Sequence, residues 1–141
     1  MLKLRCIGTV LFLVPAALLA DNLTGSTRFV CTSWAAARCT ADGVCESAPP
    51  WKLNIPDFVR LDLGAKVIAT TAAASEDRTT QIERTQRANG LIVLNGMQGQ
   101  RAWSWVINEA SGEGTLTISS EGDGVTIFSA CTPIEQLEKP R

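Results

Sequence analysis

Cysteine is the residue type with the most chemistry to offer in this chain. Cys31, Cys39, Cys45 and Cys131 follow a fifth, Cys6, that lies inside an apolar N-terminal run. None of the four forms a C-x-x-C pair and their spacing matches no zinc-binding set, so structural disulfides are expected rather than redox or metal chemistry. Four cysteines allow three pairings. Cys39 and Cys45 flank a five-residue turn centred on Asp42-Gly43, which can bring their Cα atoms within about 6 Å. Cys31 and Cys131 fall in the first and last strands, which become neighbours if the sheet closes. Joining Cys39 to Cys45 and Cys31 to Cys131 is therefore the favoured arrangement.

Tryptophan is the second candidate. Trp103 and Trp105 are two apart, so on a strand they share one face. Facing outward, they would make an aromatic platform for a sugar, a peptide or a partner protein; facing inward, they would be the largest part of the core. Indole gains so much from burial that the core is favoured, and the isolated Trp34 and Trp51 are expected to follow the same rule. Ser111-Gly112, between two predicted strands, is a further candidate binding element. Glu121 with Asp123, and Glu76 with Asp77, offer only two carboxylates each without the oxygen spacing of a calcium loop. Turn chemistry accounts for them better, and neither a metal nor a cofactor is expected.

The chain has no histidine and no tyrosine. The usual general base and proton shuttle are thereby missing, and no Ser-His-Asp or Cys-His site can be built. Paired carboxylates can serve a glycosidase without histidine, but Asp57, Asp62, Glu109, Glu113 and Glu121 fall at turns and hairpin corners. No catalytic residue is assigned, and the chain is not expected to be an enzyme.

These residues must be positioned by strands. From Arg28 onward, runs of β formers alternate with glycine, proline, asparagine and aspartate. The predicted strands include Arg28 to Ser33, Trp51 to Ile55, a run through Val59, Leu61 and Leu63, and a stretch within Ala65 to Ala74. Ser75 to Gln81 reads as a loop, and Ile82 to Arg87 as a short strand or a helical turn. Leu91 to Leu94, Ala102 to Asn108, Thr115 to Ser119 and Val125 to Ala130 form a meander, with turns at Asn95-Gly96, Ser111 to Gly114 and Glu121 to Gly124. The fold class is all-β: a small antiparallel barrel or sandwich of seven to eight strands, stapled by disulfides. Four tryptophans and four phenylalanines suggest a filled interior; a hollow one would suit a small-ligand carrier.

The ends of the chain set its compartment. Lys3 and Arg5 precede an apolar run from Cys6 to Leu19, then Ala20 and the polar Asp21 and Asn22, the order of a secretory leader. The run of about 15 residues is shorter than the roughly 20 a spanning helix needs. Residues 1–20 are therefore expected to be a signal peptide, 21–134 a single β domain, and 135–141 a flexible tail, with no stable membrane insertion after cleavage. The product belongs in the periplasm or outside the cell, where disulfides persist. Loss of the leader leaves 11 of the 13 basic residues against 14 acidic ones, a net charge near −3. The basic residues are scattered, so nucleic acid is a poor partner.

The leader, the first strand ending Phe29-Val30-Cys31, the hairpin Cys39 to Cys45, the tryptophan-bearing strands and the last strand Val125 to Cys131 together resemble a group of small exported alphaproteobacterial proteins of unknown function. More distantly, the chain is similar to periplasmic inhibitors of C-type lysozyme, small disulfide-bearing β-barrels that use a Ser-Gly loop to enter the enzyme cleft. That likeness implies a role for Ser111 and Gly112, although the tyrosine that accompanies such a loop is absent. The expected function is a non-enzymatic exported β domain that binds a protein, glycan or envelope component through its loops. The alternative is an inhibitor of a cell-wall hydrolase, with Glu109 to Gly114 as the inserted element.

Overall fold

The computed structural model of the chain describes residues 22–137. The leader expected at residues 1–20 and the last residues of the tail lie outside the described residues. Ten strands make one antiparallel sheet: β1 (Arg28–Thr40), β2 (Cys45–Ala48), β3 (Phe58–Asp62), β4 (Val67–Thr70), β5 (Thr79–Gln81), β6 (Arg84–Ala88), β7 (Leu91–Gln98), β8 (Arg101–Asn108), β9 (Glu113–Ser120) and β10 (Asp123–Pro133). The order across the sheet is β5-β4-β3-β1-β10-β9-β8-β7-β6, and β2 is an extra partner of β1. The two ends of that order are consecutive in sequence. At the join, the Ile82 amide donates to the Lys66 carbonyl at 2.9 Å and the Glu83 amide to the Asn95 carbonyl at 3.0 Å. Adjacent amides of an extended chain point to opposite sides, so this bent segment bonds to both edges and curls the sheet on itself.

The first and last long strands lie side by side, with Cys31 opposite Cys131. Both expected disulfides are formed: Cys31–Cys131 spans 100 residues with Cα atoms 4.0 Å apart, and Cys39–Cys45 spans 6 with Cα atoms 4.1 Å apart. The Cys131 amide turns away from Cys31 and donates to the Gly112 carbonyl. Cysteines that face each other without exchanging backbone hydrogen bonds are the closer kind of antiparallel pair, which is where a cross-strand bridge fits.

Local departures from the sequence reading have identifiable causes. Trp51 to Ile55 is not a strand, because Pro50–Leu53 forms a 3-10 turn with proline at its start and Asn54 in the left-handed region (φ 59°) at its end. Asn95-Gly96 is not a turn; β7 runs through both to Gln98. Residues expected as loop at 79–81 are strand β5, drawn in by pairing with β4. Within β1 the register shifts between Ser33 and Ala35, a bulge that throws Trp34 outward and restores Ala36 to the interior. At the C-terminal end, Ile134–Leu137 winds into a helical turn, α1, which spans the boundary between the expected β domain and the tail from residue 135.

Candidate functional site

The interior has two poles of different construction. At the closed pole the turns Asn89-Gly90 and Glu109 to Gly112 meet the N-terminal segment, and Leu23 is inserted as a plug with no exposed surface. Its amide donates to the Glu109 carbonyl at 2.7 Å. Arg87 reaches across to the Ser26 carbonyl at 2.6 Å and pairs with Glu109 at 2.9 Å. Above this plug lie Phe29, Leu61, Ile82, Ile92, Leu94, Ile107 and the Cys31–Cys131 bridge, all buried.

Trp103 and Trp105 belong to this packed region, with exposures of 6% and 2%. Their burial removes the outward platform and makes the pair core. Room for each ring comes from glycine on a neighbouring inward row. A Cβ on Gly96 would lie 2.6 Å from the Trp103 ring and 2.9 Å from the Gln81 carbonyl oxygen; one on Gly114 would lie 2.8 Å from Trp105 Nε1. That approach is why the chain runs straight through Asn95-Gly96: the glycine is needed for space. The Trp105 indole donates to Ser129 Oγ at 3.1 Å, and that hydroxyl donates to the Gly114 carbonyl at 3.1 Å. The Trp103 indole N–H is buried with no acceptor among the described residues.

Ser111 and Gly112 sit at the closed pole in a tight turn. Asn108 Oδ1 accepts from the amides of Ala110 and Ser111 at 2.9 and 3.1 Å. Gly112, buried and at φ 70°, donates to the Asn108 carbonyl and accepts from Cys131. The left-handed conformation suits glycine, and the bonds on both sides of it tie the turn to β10. The loop expected to bind is thus a strap at the sealed end of the sheet.

At the opposite pole the interior is open. A cavity of about 480 Å³ is walled by Val59, Ile68, Leu116, Ile118, Val125 and Ile127, with Ser33, Thr70 and Thr80 among them. Its floor lies beside the tryptophans, since Ile118 is opposite Trp103 and Leu116 opposite Trp105 across the β8–β9 pair. The expectation of a filled interior fails for a plain reason: of the seven tryptophans and phenylalanines among the described residues, only Trp103, Trp105 and Phe29 are buried. Trp34 and Trp51 are 64% and 65% exposed, against the expectation that isolated tryptophans are core. Trp34 instead packs on Phe128 outside the sheet, with ring centroids 5.6 Å apart.

The inward rows of four successive strands end at the open pole in a polar residue: Gln98 on β7, Arg101 on β8, Ser120 on β9 and Asp123 on β10. Strand alternation lines these polar groups up along one side of the mouth of the bore. Most of its charge is committed. Arg38 donates from Nε and Nη2 to the two Asp123 carboxylate oxygens at 2.9 and 2.8 Å. These hydrogen bonds hold the Asp123 carboxyl below the usual carboxylate range and raise Arg38. Nearby, the Thr40 hydroxyl and the Val44 amide do the same for Asp42 in the hairpin turn. Arg78 is consumed as a bracket for the wall: it donates to the Asn54 carbonyl and Oδ1 at 2.8 Å each and pairs with Glu76 at 2.5 Å. The Arg101 side chain is exposed and makes no hydrogen bond or ion pair among the described residues.

The candidate carboxylates do not converge. Among the described residues, no three of His, Cys, Asp and Glu are placed to hold a metal ion. Asp62 caps a turn by accepting from the Ala65 amide at 2.8 Å, Glu109 is bound to Arg87, and Asp123 to Arg38. Among the described residues no helix is long and apolar enough to cross a membrane. The sequence reading missed the open bore because its aliphatic lining is spread over four strands that are distant in sequence, β3, β4, β9 and β10; the legible signal was the polar residue ending the inward rows of β7 to β10. The chain matches no protein-family model and no curated protein sequence.

Proposed function

We propose that this chain is a non-catalytic exported β domain that binds a small ligand in the open end of its sheet. One observation carries the reading: an open cavity of about 480 Å³ whose lining mixes aliphatic with polar side chains, lying beside the packed tryptophans and bordered at its mouth by Gln98, Arg101, Ser120 and Asp123. Binding sites for small molecules likewise combine apolar walls with convergent polar groups, in volumes of roughly 300–1,000 Å³. The rigid frame around it, tied by two disulfides, is what keeps such a bore from collapsing. The lack of histidine and the engagement of Asp62, Glu109 and Asp123 in turns and ion pairs favour binding over catalysis. An exported ligand carrier of this kind replaces the aromatic platform and the Ser111-Gly112 loop as the expected contact surface.

The test is fluorescence of N-phenyl-1-naphthylamine, an uncharged apolar probe that brightens on leaving water. The oxidised protein is expected to bind it saturably. Val125→Phe, which fills the bore near its mouth, is expected to abolish binding while the melting temperature moves by only a few degrees. Absence of saturable binding by the folded parent, or equal binding by both proteins, overturns the reading.

A further inference from the structure

We infer that the ligand is a single-tailed amphiphile with an anionic head, its tail in the bore and its head on Arg101. The inference rests on the binding reading above and adds the chemical class. Arg101 occupies the mouth end of the inward row that continues as Trp103, Trp105 and Ile107, so it stands over the bore on the same face as the residues that fill the floor. The other two arginines at the rim are satisfied, Arg38 by Asp123 and Arg78 by Glu76 and Asn54. Asp123 is the only carboxylate lining the cavity, and it is spent on Arg38. Glu121, in the adjoining β9–β10 turn, is not part of the lining.

The mouth therefore presents one positive charge without a partner among the described residues, above walls that offer aliphatic side chains. A guanidinium is a planar fork of donors matched to a carboxylate or a phosphate. Walls of valine, leucine and isoleucine reward an aliphatic tail by removing it from water. A fully apolar ligand would leave the Arg101 donors unused, and a cationic head would be repelled. The volume is at the lower end of the range for ligand pockets, which fits one chain rather than two.

The experiment is displacement of N-phenyl-1-naphthylamine by four amphiphiles of equal chain length below their micellar concentrations: dodecanoate, dodecyl phosphate, dodecanol and dodecyltrimethylammonium. The two anions are expected to displace the probe at least about tenfold better than the alcohol, as a charge-assisted hydrogen bond allows. The ammonium compound should be the weakest, and the tighter anion identifies the head group. Arg101→Gln is expected to erase the tenfold advantage of the two anions over the alcohol. Equal displacement by dodecanoate and dodecanol, or an advantage that survives in Arg101→Gln, overturns the anionic head and leaves the bore intact. Failure of the parent protein to bind the probe at all defeats the binding reading itself.

Discussion

The two poles of this molecule are built from the same strands and end up opposite in character. At the closed pole each large ring is matched by a missing side chain, Trp103 against Gly96 and Trp105 against Gly114, and Leu23 seals what remains. At the open pole the lining comes from medium-sized aliphatic side chains of β3, β4, β9 and β10 and from polar side chains of the other walls, and no aromatic lines the cavity. A curled sheet has a nearly constant bore, so its content is decided by whether large and small residues alternate around it. Where they do, the bore is solid; where they do not, it stays open. Covalent support follows the same division, with Cys31–Cys131 buried in the packed region and Cys39–Cys45 on the exposed rim.

The largest expected difference between the poles concerns the bridges. Loop-closure entropy makes a cross-link spanning about 100 residues worth ~4.7 kcal/mol, whereas a loop shorter than 15 residues is worth less than ~3 kcal/mol. The Cys31→Ala/Cys131→Ala double variant also leaves a gap in the core. It should lose most of the domain's stability, while Cys39→Ala/Cys45→Ala melts only slightly below the parent. Similar melting curves for the two double variants would erase the energetic distinction between the poles.

A smaller contrast compares two glycines. Gly96→Ala forces a Cβ against a ring and a backbone carbonyl, and overpacking of this kind costs about 1–3 kcal/mol, a fall in melting temperature of roughly 4–12 °C. Gly124, at the open pole, has nothing within 4 Å of an added Cβ, so Gly124→Ala should change the melting temperature by no more than about 2 °C. A tolerated Gly96→Ala would mean that the Trp103 ring can move and that the floor of the bore is soft.

The smallest contrast lies inside the packed pole. Trp105→Phe strips the donor from the buried Ser129 hydroxyl, while Trp103→Phe discards a buried N–H that had no acceptor among the described residues. Chemical denaturation should find Trp105→Phe less stable than Trp103→Phe by about 1–2 kcal/mol, the difference between breaking a buried hydrogen bond and removing an unpaired donor. Equal values would show that the Trp105 hydrogen bond contributes nothing beyond ring packing.

Legibility varied with how local the cause was. The hairpin from Cys39 to Cys45 was readable because Asp42-Gly43 and two flanking cysteines lie within a few residues. The meander was readable from alternation and glycine-bearing turns. The 3-10 turn at Pro50–Leu53 was misread as a strand because Trp51, Lys52, Leu53, Asn54 and Ile55 alternate by chance over too few residues to distinguish the two. Asn95-Gly96 looked like a turn for a local reason and is strand for a distant one, the ring of Trp103 across the sheet. For the site, the inward tryptophans were anticipated as core, whereas Ser111 and Gly112 were expected in a binding loop and are found tied to β10 at the sealed end. Arg101 carried no local signal.

The residues alone pointed to an all-β chain, gave a preference among the three cysteine pairings, and made histidine-based catalysis impossible. Those properties follow from residue type and short spacing, which are complete in one dimension. The closure of the sheet through Ile82 and Glu83, the outward turn of Trp34 at its bulge, and the open bore beneath Arg101 were decided only in three dimensions. A cavity is a property of the rows that face one another, and which rows face one another is set by strand order and register.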